Sequence, residues 1–93
     1  MAEHPKVQVL FSAEFRTQLR RLAKRYQHIR HDLQPLVDQL QAGESPGNQI
    51  AGTGYTTCKV RLRNSDIQKG KSAGYRVIDQ ITGSQAVLLL LIY

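Results

Sequence analysis

Ninety-three residues carry thirteen Lys and Arg against seven Asp and Glu, a formal net charge of +6. That length allows a single domain, residues 1–93, with one modest core near the size at which burial only just exceeds the entropy cost of folding, and it excludes a second domain. The charge favours a polyanionic partner or an acidic protein surface, and the lone cysteine, Cys58, excludes an internal disulfide.

Met1 to Lys6 is polar, contains a proline and reads as an unpinned terminus. Val7 to Phe11, bounded by Pro5 and Ser12, suits a first strand. Ser12 then offers an N-cap to a helix whose apolar stripe is Phe15, Leu19, Leu22 and Tyr26. Its other side, with Arg16, Arg20, Arg21, Lys24 and Arg25, reads equally as a solvated face or a contact surface. The same spacing returns in Ile29, Leu33, Leu36, Val37 and Leu40, a second amphipathic helix. Pro35 is tolerated if Asp32 is the N-cap, so regular helix is expected from Leu33, with Ile29 to His31 as an entry turn. Gly43 ends that helix, and Ser45, Pro46 and Gly47 make a loop.

Asn48 to Gly54, with two glycines around Thr53, reads as an irregular approach to the next strand, Tyr55 to Arg63. Alternation along that strand puts Thr56, Cys58, Val60 and Leu62 on one face and Tyr55, Thr57, Lys59, Arg61 and Arg63 on the other. One face wants a core, which makes Cys58 a small buried hydrophobe. The other is a comb of cations about 7 Å apart, a spacing of two strand rises, suited to a phosphate backbone. Arg63 to Gly74 has no apolar period and reads as a long exposed connection that adds Lys69 and Lys71. A further strand, GYRVIDQI, brings up Arg76 behind a glycine. Asp79 shares a face with Val77 and Ile81 by alternation, where a carboxylate needs a partner or costs stability. The last strand, Ala86 to Tyr93, is apolar on both faces and belongs in the middle of the sheet, with the helical hairpin able to cover only one side.

Several motifs lead nowhere. Gly70, Lys71 and Ser72 match the end of a phosphate-binding loop, but position 65 is a serine where the pattern needs glycine, and a strand follows where it needs a helix. His28 and His31 lack a carboxylate or thiol at ligand spacing, so neither a metal nor a cofactor is expected. No charged-then-apolar leader opens the chain, and the longest apolar run is too short to span a bilayer as a helix, so the expected location is the cytoplasm, away from membranes. Four cations, Lys59, Arg61, Arg63 and Arg76, remain without a compensating acid on that strand face. Their repulsion costs stability unless an anion relieves it.

The segments FRTQLRRLAKRYQHIRHDLQPLVDQL, KVRLRNSDIQKGKSAGYRVI and VLLLLIY, in that order, resemble the RelE/ParE superfamily of bacterial toxins, nearer its RelE branch. The likeness runs from Phe15 to Tyr93. It implies an α+β fold in which an N-terminal strand and a helical hairpin pack on a twisted antiparallel sheet of about four strands. It also implies cleavage of messenger RNA on the ribosome, held in check by a cognate antitoxin protein. By the same resemblance Lys59, Arg61 and Arg76 are the catalytic and phosphate-binding groups; Arg63 and Tyr55, on the comb face, and Lys69 and Lys71, in the loop, are expected as further RNA contacts. Arg61 stands where the prototype has lysine, which keeps charge and makes proton transfer at that position implausible. Relatives continue past the position of Tyr93 into a tail with another basic residue and often a tyrosine, so a weakened activity is expected for the sequence as it stands. A homodimer through the apolar last strand is a further expectation. Two other readings stay open: a catalytically inactive protein that binds antitoxin or ribosome, and a ParE-like gyrase inhibitor.

Overall fold

The computed structural model describes residues 7–50, 52, 56–67, 74–83 and 85–93. Its elements are β1 (Gln8–Phe11), α1 (Ala13–Arg25), α2 (Ile29–Gln41), β2 (Asn48–Ile50), β3 (Thr56–Leu62), β4 (Tyr75–Gly83) and β5 (Ala86–Ile92). The strands form one sheet in the order β1-β5-β4-β3-β2. This is the expected α+β architecture, with two differences. The sheet has five strands where about four were expected, and it is mixed, because β1 runs parallel to β5 while the other pairs are antiparallel. The extra strand is β2, read above as irregular. Gly47, at φ +91°, packs its backbone against the Lys59 carbonyl so closely that a Cβ there would collide, and this delivers Asn48 into pairing with Lys59.

Ser12 starts α1 as expected. Its hydroxyl oxygen accepts from the Phe15 N–H at 2.9 Å and its O–H donates to the Leu90 carbonyl at 2.8 Å, so one side chain both caps the helix and ties it to β5. The apolar stripe of α1 lies on the sheet, with Phe15 fully buried and tilted against Phe11. The basic residues Arg16, Arg20, Arg21, Lys24 and Arg25 are exposed on the helical layer.

The second helix departs from expectation. It begins at Ile29, not near Leu33, with His28 at the N-cap and Pro35 inside it. Burial of Ile29, which has no exposed surface, favours the earlier start. The proline forgoes one backbone hydrogen bond and sits on the exposed side with His31, the residue whose carbonyl it leaves for water. Asp32, released from capping, has another role described below.

The helices and one face of the sheet enclose the core: Phe15, Ile29, Leu33, Leu36 and Leu40 against Val60, Tyr75, Val77, Val87, Leu89 and Ile92. Along β5 the core residues do not keep strict alternation. Ile78 pairs with Leu91 and Asp79 with Leu89, so Leu90 is an extra residue, a β-bulge. The bulge turns Ile92 inward and Tyr93 outward. As expected, β5 is interior to the sheet, between β1 and β4. Its second face, with Leu88 and Leu91 half-buried and Leu10 of β1 exposed alongside, has no layer over it among the described residues. No helix among the described residues is long and apolar enough to cross a membrane.

Cys58 is buried, as its place in the alternation requires, and burial raises its thiol pKa above the ordinary value. Beside it in the register lies Asp79, 2% exposed, whose Oδ2 has no hydrogen-bond partner. Burial pushes its carboxyl up to about 6. The folded chain therefore holds a proton that the unfolded chain, with a carboxyl near 3.9, has released. The stability this contributes is full below about pH 4 and lost as pH rises through about 6. Asp79→Asn is expected to flatten this pH dependence and to stabilise the protein at pH 7 by about 2 kcal/mol. Urea unfolding at pH 4.5, 6 and 7.5 measures both, and parallel pH profiles for the two proteins would contradict it.

Candidate nucleic-acid interface

The strand β3 turns Cys58, Val60 and Leu62 toward the helices, which sends Lys59 and Arg61 to the opposite face, where both are exposed. Its register against β4 sets Val60 opposite Val77, Arg61 opposite Arg76 and Lys59 opposite Ile78. The Val60–Val77 contact belongs to the core, so a slip by one residue would bury the cations. Arg76 exchanges both of its backbone hydrogen bonds with Tyr93, at 2.7 and 2.9 Å. Its pairing with Arg61 is therefore the non-hydrogen-bonded kind, in which Cα atoms stand about 4.5 Å apart and side chains are closest. Two guanidinium groups thus share the nearest cross-strand position the sheet offers. The Arg76 Nη1–H donates to the Gly74 carbonyl at 3.0 Å, which holds that group at the start of its strand.

Gly74 is a requirement of the same arrangement. A Cβ at that position would run into the Leu62 carbonyl, so only glycine lets β4 enter this close to the end of β3. Across three strands the open face then reads Arg61, Arg76 and Tyr93 in one row and Lys59, Ile78 and Leu91 in the next, with Asn48 beside Lys59. The Lys59 Nζ lies 6.0 Å from the centre of the Tyr93 ring. Thr57 is the exception on this face, buried between Ile50 and Gln80.

The acids lie elsewhere. Asp79 faces the helices with Cys58, and Asp32 and Asp66 are engaged in a clamp between the hairpin and the end of β3. The His28 Nδ1 and Asp66 Oδ1 are 2.8 Å apart, and the His28 backbone N–H donates to Asp66 Oδ2 at 3.2 Å. Asp32 Oδ2 accepts from both the backbone N–H and the hydroxyl of Ser65, at 2.9 and 3.0 Å. Asn64, buried, accepts from the Asp66 N–H through its side chain. The hydrogen bond to Asp66 raises the His28 pKa, and the same bond lowers that of Asp66. Residues 64–66 are thus held to the helical hairpin, and Asn64 is buried, a correction to the reading of the stretch after Arg63 as exposed throughout; Ser65 and Asp66 are exposed as expected. Turn chemistry in Asn-Ser-Asp was the available signal. Among the described residues, no carboxylate forms an ion pair with Lys59, Arg61 or Arg63.

Arg63 lies one residue past β3 and, with Lys59 and Arg61, borders a groove of about 700 Å3 between α2, β2 with the loop before it, and β3; Asp32 lines the same groove. Of the residues expected to act, Lys59, Arg61 and Arg76 are brought together and Arg63 flanks them. Tyr55, Lys69 and Lys71 lie outside the described residues. Tyr93 joins the site unforeseen. Strict alternation from Val87 would have sent it to the core, and nothing in a run of four leucines marks the bulge that reverses it. Among the described residues, no three His, Cys, Asp or Glu side chains are placed to hold a metal ion.

No family model matches the chain, and no curated protein or solved structure matches it significantly.

Like charges directly opposed across a strand pair cost stability. Arg61→Gln is expected to raise stability by about 0.5 kcal/mol at low ionic strength, a gain that shrinks in 0.5 M salt. Thermal unfolding at two salt concentrations checks it, and a salt-independent loss would contradict it. Gly74→Ala is expected to cost about 2 kcal/mol by forcing β4 away from the Leu62 carbonyl. Equal urea midpoints for the two proteins would contradict that.

Proposed function

We propose that this chain is an RNA-binding toxin of the RelE type that cleaves messenger RNA on the ribosome, with the open face of β3 and β4 as its site. The observation that carries the reading is the direct opposition of Arg61 and Arg76 on a face where Lys59 stands two residues along the strand from Arg61. Such a cluster is stabilised by a phosphate lying across it. Guanidinium groups bind phosphoryl oxygens through two parallel hydrogen bonds.

The reaction is attack of a ribose 2′-hydroxyl on the adjacent phosphate, giving a 2′,3′-cyclic phosphate and a free 5′-hydroxyl. Arg61 and Arg76 hold the phosphate and the charge that develops on its oxygens, and Arg63 adds positive potential at the edge. Lys59 is the side chain that takes the 2′-hydroxyl proton and returns it to the leaving 5′-oxygen, since arginine does not exchange one. The partner that holds such a toxin inactive is an antitoxin segment with acidic and apolar residues. Its acids meet the cations, and its apolar side lies on Leu10, Leu88 and Leu91.

A second reading, a protein that binds phosphate without cleaving it, is favoured by the composition of the face. Among the described residues it presents no histidine or carboxylate. Induced expression separates the two. The expected result is growth arrest with new messenger-RNA 5′ ends at ribosomal A sites, both lost in Arg76→Ala and in Arg61→Ala. Arrest without new ends supports the binding reading. New ends that persist in both variants, or gyrase-dependent DNA breaks, would overturn the assignment of this site.

A further inference from the structure

The strand β3 ends at Leu62, yet its alternation runs two residues further. Leu62 packs against the core, Arg63 is exposed and Asn64 is 2% exposed, so Arg63 stays in the row of Lys59 and Arg61 although it lies past the last pair of the β3–β4 register. The clamp to the hairpin holds it there. Asp32, in the first turn of α2, accepts from the Ser65 N–H and hydroxyl at 2.9 and 3.0 Å. Asp66 accepts the backbone N–H of His28, the N-cap of α2, and lies 2.8 Å from its Nδ1. Asn64 closes the turn from inside, accepting the Asp66 N–H through its side chain at 2.9 Å and the Ile67 N–H through its carbonyl at 3.2 Å. Asp32 is otherwise out of place. It lines the same groove as Lys59, Arg61 and Arg63, where a carboxylate by charge alone weakens the binding of an anion.

We infer that Asp32 and Asp66 are positioning residues for Arg63, holding its charge at the mouth of the groove, beside an RNA backbone that lies on Arg61 and Arg76. The inference rests on the reading of this face as an RNA site and adds the device that sets its edge. Each carboxylate is engaged as an acceptor, Asp32 by Ser65 and Asp66 by His28, so what it gives the site is geometry and not charge. A turn left free after Leu62 would let Arg63 sample many backbone and side-chain states, and ordering it on binding would weaken affinity. The clamp orders the turn at folding instead. Both ties start from the first turn of α2, which is anchored in the core by Ile29, Leu33, Leu36 and Leu40, so the turn inherits the rigidity of the core.

The test sets Asp32→Asn against Asp32→Ala. Both remove the same charge, and only the amide keeps an oxygen that accepts from Ser65. Binding of a short labelled single-stranded RNA is read by fluorescence anisotropy in low salt, each protein first shown to be folded by thermal melt. Asp32→Asn is expected to bind at least as tightly as the parent, and Asp32→Ala about threefold more weakly than Asp32→Asn. In an Arg63→Gln background the two are expected to bind alike, because the contact by which they differ acts through Arg63. Asp66→Asn against Asp66→Ala repeats the comparison at the second tie, and carries the test alone if Asp32→Ala does not fold. Equal affinities within both pairs, with lower melting temperatures for the Ala forms, would overturn the positioning role and leave a purely structural clamp. A difference that persists with Arg63→Gln would overturn it also. Failure of the parent to bind RNA, or binding indifferent to Arg61→Gln, would overturn the RNA reading, and the positioning role with it.

Discussion

The opposition of Arg61 and Arg76 is the constraint on which the open face depends. The core imposes it. Val60 and Val77, their neighbours, are buried against the helices directly opposite each other, and that pairing sets the two arginines against each other outside. Gly74 permits the approach, and the hydrogen bonds between Arg76 and Tyr93 select the closer of the two cross-strand geometries. A small domain with little stability to spare thus holds a repulsive pair at a position where one polar substitution would remove it.

The two faces of the sheet divide the work. The inner face is closed by α1 and α2, with Ser12 tying the first helix to β5 and the His28–Asp66 and Asp32–Ser65 contacts tying the second to the end of β3. Those contacts also engage two carboxylates at the rim of the site, and Asp79 is turned inward. The sequence is not poor in acids near the comb. The fold turns Asp79 inward and engages Asp32 with Ser65 and Asp66 with His28, so among the described residues no carboxylate forms an ion pair with Lys59, Arg61 or Arg63. The outer face grades from this basic corner to an apolar region around Leu10, Leu88 and Leu91. That gradient fits a partner with both acidic and apolar residues.

Much of this was legible in the order of residues. Alternation in TTCKVRL separates the cations from the core side, whereas the close strand entry that Gly74 permits shows only in the fold. The helical hairpin followed from the apolar spacing and the Ser12 cap. The misreadings have physical causes. The start of α2 was placed late because the local penalty of Pro35 was weighed without the burial of Ile29, a tertiary term. The strand β2 was missed because three residues flanked by glycine and proline carry no pattern of their own. Tyr93 was missed because an unbroken leucine run has no alternation to reveal a bulge. The pinned turn at Asn64 to Asp66 depends on His28 and Asp32, which are distant in sequence and meet only in the fold.

The central claim is that the open face of β3 and β4 binds an RNA backbone through Lys59, Arg61 and Arg76. It is tested most directly by the salt dependence of single-stranded RNA binding. If these three side chains each neutralise a phosphate, the logarithm of the binding constant falls against the logarithm of salt concentration with a slope near −2, at about 0.7 for each contact. In Arg61→Gln the slope should become shallower by about 0.7. A slope near zero, or one unchanged by that substitution, would contradict the account.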